Sequence, residues 1–323
     1  MAGSEDVLTQ RALTRLATIR IDVALRELSA GLQQRGIGSM VLKGPALSSW
    51  YPESAPRTYV DGDLWVAPGS FAAAAELLGE LGYTATVDEQ GLPQWWLEHA
   101  SGFKRSGDGV SIDLHRCLQG AGADPAMVWK YLWELRVPLA LAGGTVFTLP
   151  DDAMALYVTL HATHHGVTDA RGLRHMNAAL ARFDDQLWLR ALALARELDA
   201  LDGFATGLRL SEAGSVLARR IGVPRASSVR SLLLASTPPP VALGFAQVAG
   251  ARGRRRLAIV IRKLFPPPGF VRHWWPPAAR GPVMLAAGYL YRPLWLLLRT
   301  PSGYLAWRAA KAAAEHDKTA AGG

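Results

Sequence analysis

Segments that alternate apolar and polar residues occur only in the first half of this 323-residue chain. The strand-like segments are SMVLKG (39–44), TYVDGDLWVAP (58–68), GVSIDLHRCL (109–118) and TVFTLP (145–150). A helical spacing of apolar residues covers 5–35, and helical spacing continues without a strand signal from Ala153 onward. These patterns predict an α+β fold, in which a small mixed β-sheet flanked by helices (1–150) is followed by an all-α region (151–323).

The composition places the chain among globular proteins that live in a reducing compartment. Half of its residues are hydrophobic and 19% are charged, so it can bury a sizeable core. Cys117 is the single cysteine, which excludes an internal disulfide and any zinc or iron–sulfur site built from several cysteines. The opening residues, MAGSEDVLTQR, are polar and lack the apolar stretch of a secretory signal. We therefore expect a cytoplasmic location.

Positive charge is concentrated towards the C-terminus. From Arg225 to the end there are 15 Lys/Arg and 2 Asp/Glu, whereas the preceding residues hold 20 and 25. This asymmetry favours an acidic partner: a nucleotide, nucleic acid or an anionic membrane. The apolar run PVMLAAGYLYRPLWLLL is shorter than the ~20 residues of a membrane span and contains Arg292 and Pro293, so we expect no transmembrane span and keep peripheral membrane contact open. The basic run RGRRR (252–256) lacks interleaved aromatic residues, which makes nucleic acid the less favoured partner.

Two carboxylates lie on one face of the second predicted strand, and a third lies on the third strand. Period-two geometry puts Asp61 and Asp63 on the same side, and likewise places His115 beside Asp113. If the two strands are neighbours, the three carboxylates converge on the constellation used in two-metal phosphoryl transfer, because Mg²⁺ prefers hard oxygen ligands. The alternative is a strand at the sheet edge with one solvated face. Because the two aspartates repel each other without metal, replacing Asp61 or Asp63 by Asn should leave the fold intact or slightly stabilised.

Basic residues and a glycine turn precede this acidic strand. Lys43 and Gly44 follow the first predicted strand, and Arg57 stands four residues before Asp61. A glycine turn at a helix N-terminus presents backbone N–H groups to phosphate, and the two cations add positive charge. A glycine that only makes a turn is the simpler interpretation of Gly44 taken alone.

The helical half contains a histidine cluster, LHATHHG. His161 and His165 are four residues apart and share one helix face, a spacing that can bind zinc. The Glu of an HEXXH motif and a nearby Cys are missing from this segment. Three interpretations remain open: a zinc site, side chains that line a cleft, and structural histidines.

Together these residues resemble a known family. The segment VLKGPALSSWYPESAPRTYVDGDLWV (41–66) is similar to the signature of the uncharacterised nucleotidyltransferase family, within the DNA polymerase β-like superfamily. The similarity continues at IDLHR (112–116), LHATHHG (160–166) and RKLFPPPGFVRHWWP (262–276). The resemblance implies that the sheet region is a nucleotidyltransferase domain, which transfers a nucleoside monophosphate from an NTP such as ATP to an acceptor. It also implies an acceptor that is a small molecule, peptide or protein, in a setting such as natural-product biosynthesis.

The resemblance also assigns roles to individual residues. The implied Mg²⁺ or Mn²⁺ ligands, which are also the catalytic carboxylates, are Asp61, Asp63 and Asp113. The resemblance assigns phosphate contacts to Gly44 and neighbouring backbone, and Lys43 and Arg57 match family positions without a settled role. Lys43, Gly44, Arg57 and His115 are therefore the candidate nucleotide-binding residues, and His161 and His165 are the candidate cleft-lining residues. Three positions depart from the family pattern: Gly62 between the aspartates, Pro45 after the glycine, and Asn177, where the family commonly has Asp. Gly62 and Pro45 motivate an alternative, a non-catalytic nucleotide-binding or scaffold protein on the same fold, and the basic tail motivates a further one, a nucleic-acid binder.

Overall fold

The computed structural model describes residues 2–52, 57–87, 89, 92, 99–225 and 228–321. The chain divides into two compact units. The first consists of Met1–Val87, Glu98–His161 and Arg171–Phe204, and the second contains Ala162–Ala170 and Ala205–Gly323. The functional division predicted at residue 150 stays a prediction.

A mixed seven-stranded sheet forms the centre of the first unit. Its strands are β1 (Ser39–Leu42), β2 (Asp61–Val66), β3 (Tyr83–Ala85), β4 (Ala100–Arg105), β5 (Ser111–His115), β6 (Val137–Leu141) and β7 (Gly144–Thr148). They lie in the order β3-β4-β5-β2-β1-β7-β6. The pairs β2–β5 and β1–β7 are parallel, and the other pairs are antiparallel. The predicted α+β class with a mixed sheet is therefore confirmed.

Three strands of the sheet have no clear signal in the sequence. The four predicted strands correspond to β1, β2, β5 and β7, but β3, β4 and β6 were not predicted. All three lie in the outer part of the sheet, where side chains are more exposed and alternation is weak. Pro138 lies in β6, which is the last strand on its side, and an edge strand is where a sheet tolerates proline.

Helices flank the sheet and make up the rest of the chain. The helices that begin before residue 205 are α1 (Ala2–Gln34), α2 (Phe71–Glu80), α3 (Pro125–Leu135), α4 (Asp151–His165), α5 (Ala170–Arg182), α6 (Asp185–Glu197) and α7 (Leu201–Leu208). Those of the second unit are α8 (Glu212–Arg220), α9 (Val229–Ala235), α10 (Ala242–Gly250), α11 (Gly253–Leu264), α12 (Pro268–Trp274) and α13 (Pro282–Ala321). Short 3-10 helices cover Gly44–Trp50, Pro68–Ser70 and Pro276–Arg280.

Helix α1 covers one face of the sheet, and a glycine of β2 permits its close approach. Leu25 and Leu28 of α1 are buried in one hydrophobic cluster with Leu64 of β2 and Ile112 of β5. A Cβ atom on Gly62 would lie 3.0 Å from Leu25 and 2.9 Å from Ile112, so a larger side chain would push the helix away. The glycine at position 62, which departs from the family pattern, is thus explained by the packing of α1 on the sheet face opposite to the carboxylates.

Helices are the only regular secondary structure among the described residues of the second unit. Leu233, Ala242 and Ala310 form its buried cluster, which joins α9, α10 and α13. Helix α13 runs unbroken from Pro282 to Ala321, although Pro293 and Pro301 lie inside it. Among the described residues, no helix is long and apolar enough to cross a bilayer.

Candidate functional site

The parallel pairing of β2 and β5 brings the three predicted carboxylates to one face of the sheet. Asp63 is paired directly with Asp113, and Asp61 with Ser111 two residues earlier. Because side chains alternate along a strand, Asp61, Asp63, Asp113 and His115 share a face. The predicted adjacency of these two strands is confirmed, and both are interior strands, which excludes the sheet-edge alternative.

Asp63 lies at the centre of the site and is nearly enclosed. Its side chain accepts hydrogen bonds at a single oxygen, Oδ1, from Lys43 Nζ (2.8 Å) and from His115 Nε2 (3.0 Å). Because a carboxylate only accepts, the Nε2 atom of His115 carries the proton in this bond. Burial would raise the pKa of Asp63, but Lys43 and His115 outweigh it and hold the pKa well below its usual range. Asp63 is therefore a buried anion that two donors already stabilise.

Asp61 and Asp113 flank this buried anion and remain half-buried. Burial, followed by the negative charge of Asp63, raises the pKa of each carboxyl. Gly102 of β4 lies opposite Asp113, and a Cβ atom there would stand 3.4 Å from its Oδ1 atom. The same Cβ position lies only 2.7 Å from Thr86 Oγ1, which donates to the carbonyl oxygen of Gly102, so the Thr86 side chain lies over this glycine.

The turn after β1 has an unusual backbone. Lys43 has φ 37° and Gly44 has φ 48°, two consecutive residues in the left-handed region. For a residue other than glycine this conformation costs about 1–3 kcal/mol, and the ion pair with Asp63 holds Lys43 in it. Pro45 has no N–H, and the N–H of Ala46 donates to the carbonyl of Lys43 (2.9 Å). A phosphate contact at the start of this turn therefore depends on the amide of Gly44.

Arg57 braces the same turn and is itself held by a histidine that the sequence did not single out. Its guanidinium donates to the carbonyl oxygen of Gly44 and to His175 Nε2 (3.2 Å). Arginine has no acceptor, so His175 Nε2 is unprotonated and Nδ1–H donates to the Tyr51 oxygen 2.6 Å away. Burial and then Arg57 lower the pKa of His175 to about 3. The neutral imidazole thus links Arg57 to Tyr51.

Helix α4 contributes an aromatic side chain and one of the two predicted histidines. The buried ring of Tyr157 has the Lys43 ammonium 5.8 Å from its centroid. His161, one turn later, lies 3.4 Å from Gln119 Oε1 through its Nδ1 atom. His165 belongs to the second unit, where its ring is 5.3 Å from that of His164. The structure therefore gives His161 and His165 different surroundings, although they share a helix.

Four residues of the site were not found from the sequence: Tyr51, Gly102, Tyr157 and His175. Tyr157 stands four residues before His161, so its place on the same helix face was available as a signal. His175 is an isolated histidine on an amphipathic helix, and Gly102 lies in a strand that was not predicted. For these two the sequence pattern holds no signal.

The donor chemistry of the three carboxylates fits a hard divalent cation. A cation beside Asp61 and Asp113 would offset the burial and the negative charge of Asp63 that raise their pKa values. Lys43 and His115 occupy one oxygen of Asp63. Within the described part of the chain, no group of three or more His, Cys, Asp or Glu side chains is arranged to hold a metal ion. Asp61 and Asp113 are thus the more exposed candidate ligands, and Asp63 is the enclosed one.

Comparisons with known proteins give one family match and several distant structural similarities. The model of a family described as "uncharacterised nucleotidyltransferase" matches residues 4–213. The chain is similar to the antibiotic-resistance factor ANT(2'')-Ia in solution, with 12% identity and a TM-score of 0.38, over 56% of this chain and 94% of that one. It is similar to an antigenic nucleotidyltransferase-like protein from Paracoccidioides brasiliensis, with 15% identity and a TM-score of 0.35, over 59% of this chain and 93% of that one. It is also similar to the lincosamide antibiotic adenylyltransferase LnuA, bound to lincomycin, with 13% identity and a TM-score of 0.31, over 46% of this chain and 89% of that one. A search of curated proteins finds no match.

Proposed function

Because the chain belongs to the uncharacterised nucleotidyltransferase family, we propose that it transfers a nucleoside monophosphate from an NTP to an acceptor hydroxyl or phosphate. Asp61, Asp63 and Asp113 would hold the divalent cations, Mg²⁺ or Mn²⁺, of a two-metal reaction. One observation carries the proposal. The register of β2 and β5 sets Asp63 directly opposite Asp113, while Lys43 supplies positive charge to the same place.

The residues of the turn after β1 are proposed to bind the phosphates. The Lys43 ammonium and the amide of Gly44 adjoin the carboxylates and carry the charge and the donor that a triphosphate requires. Arg57 donates to the carbonyl oxygen of Gly44 and so fixes the turn. Its positive charge would also attract the triphosphate. His115 orients Asp63 through its Nε2–H bond. Bound cations would neutralise charge on the phosphate oxygens as Lewis acids.

Asp113 is proposed to accept the proton of the attacking acceptor group. Its carboxylate is only half-buried, and burial together with the charge of Asp63 raises its pKa, so it accepts a proton readily. Asp63 is less suited to this role, because Lys43 and His115 hold its pKa well below the usual range. Such transfers depend mainly on positioning and on neutralising charge, so we expect the acid–base contribution to be the smaller one.

Pyrophosphate release tests the proposal. Purified protein is incubated with each of the four NTPs, Mg²⁺ or Mn²⁺, and panels of small-molecule, peptide and protein acceptors. We expect metal-dependent release with at least one acceptor and a loss of at least about a hundred-fold in Asp113→Asn. Glu134→Gln is the matched control, because it also neutralises a carboxylate of the first unit but at an exposed position on α3. The proposal would be contradicted if the protein bound no NTP and released no pyrophosphate with any acceptor.

A second candidate is a nucleotide-binding protein without catalysis. It is favoured by the two donors that already neutralise Asp63 without any cation. Calorimetry distinguishes the two candidates. Tight NTP binding that is independent of Mg²⁺, with no pyrophosphate release, would favour the non-catalytic protein, and binding that requires Mg²⁺ would favour the transferase.

A further inference from the structure

Helix α13 presents an apolar stripe to solvent. The stripe is formed by Val283, Leu290, Leu294, Leu297, Leu298 and Leu305, which are 52–80% exposed. Their separations of three, four and seven residues place them on one side of the helix, and this side is about 33 Å long at 1.5 Å per residue. Soluble monomers rarely expose an apolar surface of this length, so the stripe marks an interaction site.

Helix α11 presents a second apolar surface with basic residues on its other side. Leu257, Val260 and Ile261 are exposed, and Phe265 follows at the helix end in the same direction. The cationic side chains Arg255, Arg256, Arg262 and Lys263 lie on the opposite side by helical spacing. An apolar face bordered by Arg and Lys is typical of helices that lie in a membrane interface.

The surrounding sequence is positively charged over a long distance. Residues 213–314 contain 16 Lys/Arg and not a single Asp or Glu. This segment includes both α11 and the apolar stripe of α13. A surface with this charge attracts anionic surfaces over about a Debye length, roughly 8–10 Å at physiological salt.

A cavity beside α11 combines basic and small side chains. Its volume is about 480 Å³, and it is lined by Ala246, Gly250 and Ala258 together with Arg255, Arg262 and Lys263. Burial, followed by the charge of Arg292, lowers the pKa of Lys263. An anionic group in the cavity would offset that cost. The size and lining suit the phosphate and glycerol of a phospholipid headgroup.

Aromatic side chains border the stripe. Trp274 lies against Tyr291 (5.8 Å between ring centroids) and against Trp295 (5.3 Å). The guanidinium of Arg299 lies 5.5 Å from the Trp295 ring centroid, and that of Arg292 lies 4.8 Å from the Trp274 ring centroid. Trp and Tyr beside cationic side chains are enriched at the boundary between water and lipid.

We propose that α11 and α13 form a surface that binds the face of a bilayer containing anionic phospholipids. The apolar stripe of α13 and the apolar face of α11 would enter the headgroup boundary, and the positive charge of the surrounding segment would attract the anionic headgroups. Charge selects this occupant over a second copy of the chain, because a copy would bring the same positive charge to the interface. Nucleic acid matches the charge but offers nothing to cover the exposed leucines.

Vesicle co-sedimentation of the full chain tests this surface. The protein is mixed with phosphatidylcholine vesicles that contain or lack phosphatidylglycerol. We expect binding to the anionic vesicles only, with an affinity that falls as salt is added. Arg262→Gln should weaken binding about five-fold, the equivalent of about 1 kcal/mol per charge near the surface. Leu290→Gln and Leu297→Gln should each weaken it by a similar factor or more.

Two matched variants in the first unit serve as controls. Met127→Gln removes an exposed apolar side chain from α3, and Lys130→Gln removes an exposed charge from the same helix. Both should bind anionic vesicles as the wild type does. Because the test follows binding and not turnover, its failure leaves the proposed transferase activity untouched.

Five results would overturn the proposal. The first three are equal binding to both kinds of vesicle, leucine variants that bind like the wild type, and full displacement of the protein from vesicles by soluble glycerol phosphate. The fourth is light scattering that shows a lipid-free dimer which Leu297→Gln converts to monomers, since a second copy would then cover the stripe. Tight binding to DNA or RNA with no binding to anionic vesicles would likewise replace the bilayer by nucleic acid.

Discussion

The two units differ in the surroundings of their charged side chains. In the first unit, Asp63 is 4% exposed and holds Lys43 and His115 within 3.0 Å. In the second unit, cationic side chains and exposed leucines occur in the same segment, 213–314, which contains no Asp or Glu. Burial makes a charge dependent on its partner, because water no longer stabilises it. The buried charges of the site in the first unit should therefore control stability and chemistry, whereas the exposed charges of the second unit should mainly affect what binds there.

The largest expected effect is that of Asp63→Asn on stability. Removing this anion leaves the Lys43 ammonium buried without its counter-charge, which should lower the free energy of unfolding by about 3–5 kcal/mol. This reverses the sign expected from the sequence, where Asp61 and Asp63 were treated as a repelling pair. Denaturant titration measures the change. Arg262→Gln in the second unit, the control, should change stability by less than about 0.5 kcal/mol. If both variants had equal stability, the contrast between the units would fail.

An acid-dependent effect comes next, from His175. Its pKa of about 3 lies below the ordinary 6.5, so only the unfolded chain takes up this proton between those values. The stabilisation is fully present above pH 6.5 and is lost as pH falls towards 3, with a slope of up to about 1.4 kcal/mol per pH unit. His175→Gln should flatten the stability curve in this window. A His175→Gln protein that keeps the wild-type slope between pH 3 and 6.5 would contradict the assignment.

A smaller effect of opposite sign is expected for Asp61→Asn. Burial and the charge of Asp63 raise the pKa of this carboxyl, so neutralising it should stabilise the metal-free protein by about 0.2–1 kcal/mol. Thermal unfolding in EDTA measures the gain. Destabilisation in EDTA would mean that Asp61 has a cationic partner that outweighs Asp63.

The smallest effect is expected from the apolar stripe of α13. Leu297→Gln should alter the free energy of unfolding by less than about 0.5 kcal/mol, because the side chain is 67% exposed. By contrast, Leu25→Ala in the core under α1 should cost about 2–5 kcal/mol. A large loss in Leu297→Gln would show that the stripe is part of a core.

The sequence predicted the strands that carry the site because they are interior and alternate cleanly. The period of two in β2 and β5 was enough to place Asp61, Asp63 and Asp113 on one face. It was not enough for β3, β4 and β6, which are short or peripheral and have exposed side chains. The role of Gly62 was also missed, since a close helix approach depends on packing between elements that are distant in sequence.

The partners of the site residues could not be predicted. Whether Asp63 meets a cation, a lysine or a neighbouring aspartate depends on the backbone angles of Lys43, which place its ammonium on Asp63. The link between Arg57 and His175 spans 118 residues, so no local pattern could indicate it. Sequence patterns determine which face a side chain occupies, whereas hydrogen bonds between distant elements determine its charge state.

Isothermal titration of an NTP into the full chain, with Mg²⁺ present, tests most directly whether Asp61, Asp63 and Asp113 hold a cation together with the nucleotide. We predict binding by the wild type and by Glu134→Gln, and a loss of at least about ten-fold in affinity, about 1.4 kcal/mol, when EDTA replaces Mg²⁺. Asp113→Asn should lose as much with Mg²⁺ present and should then show no further effect of EDTA. An Asp113→Asn protein that binds the NTP as the wild type does, with the same dependence on Mg²⁺, would contradict a metal site at these carboxylates.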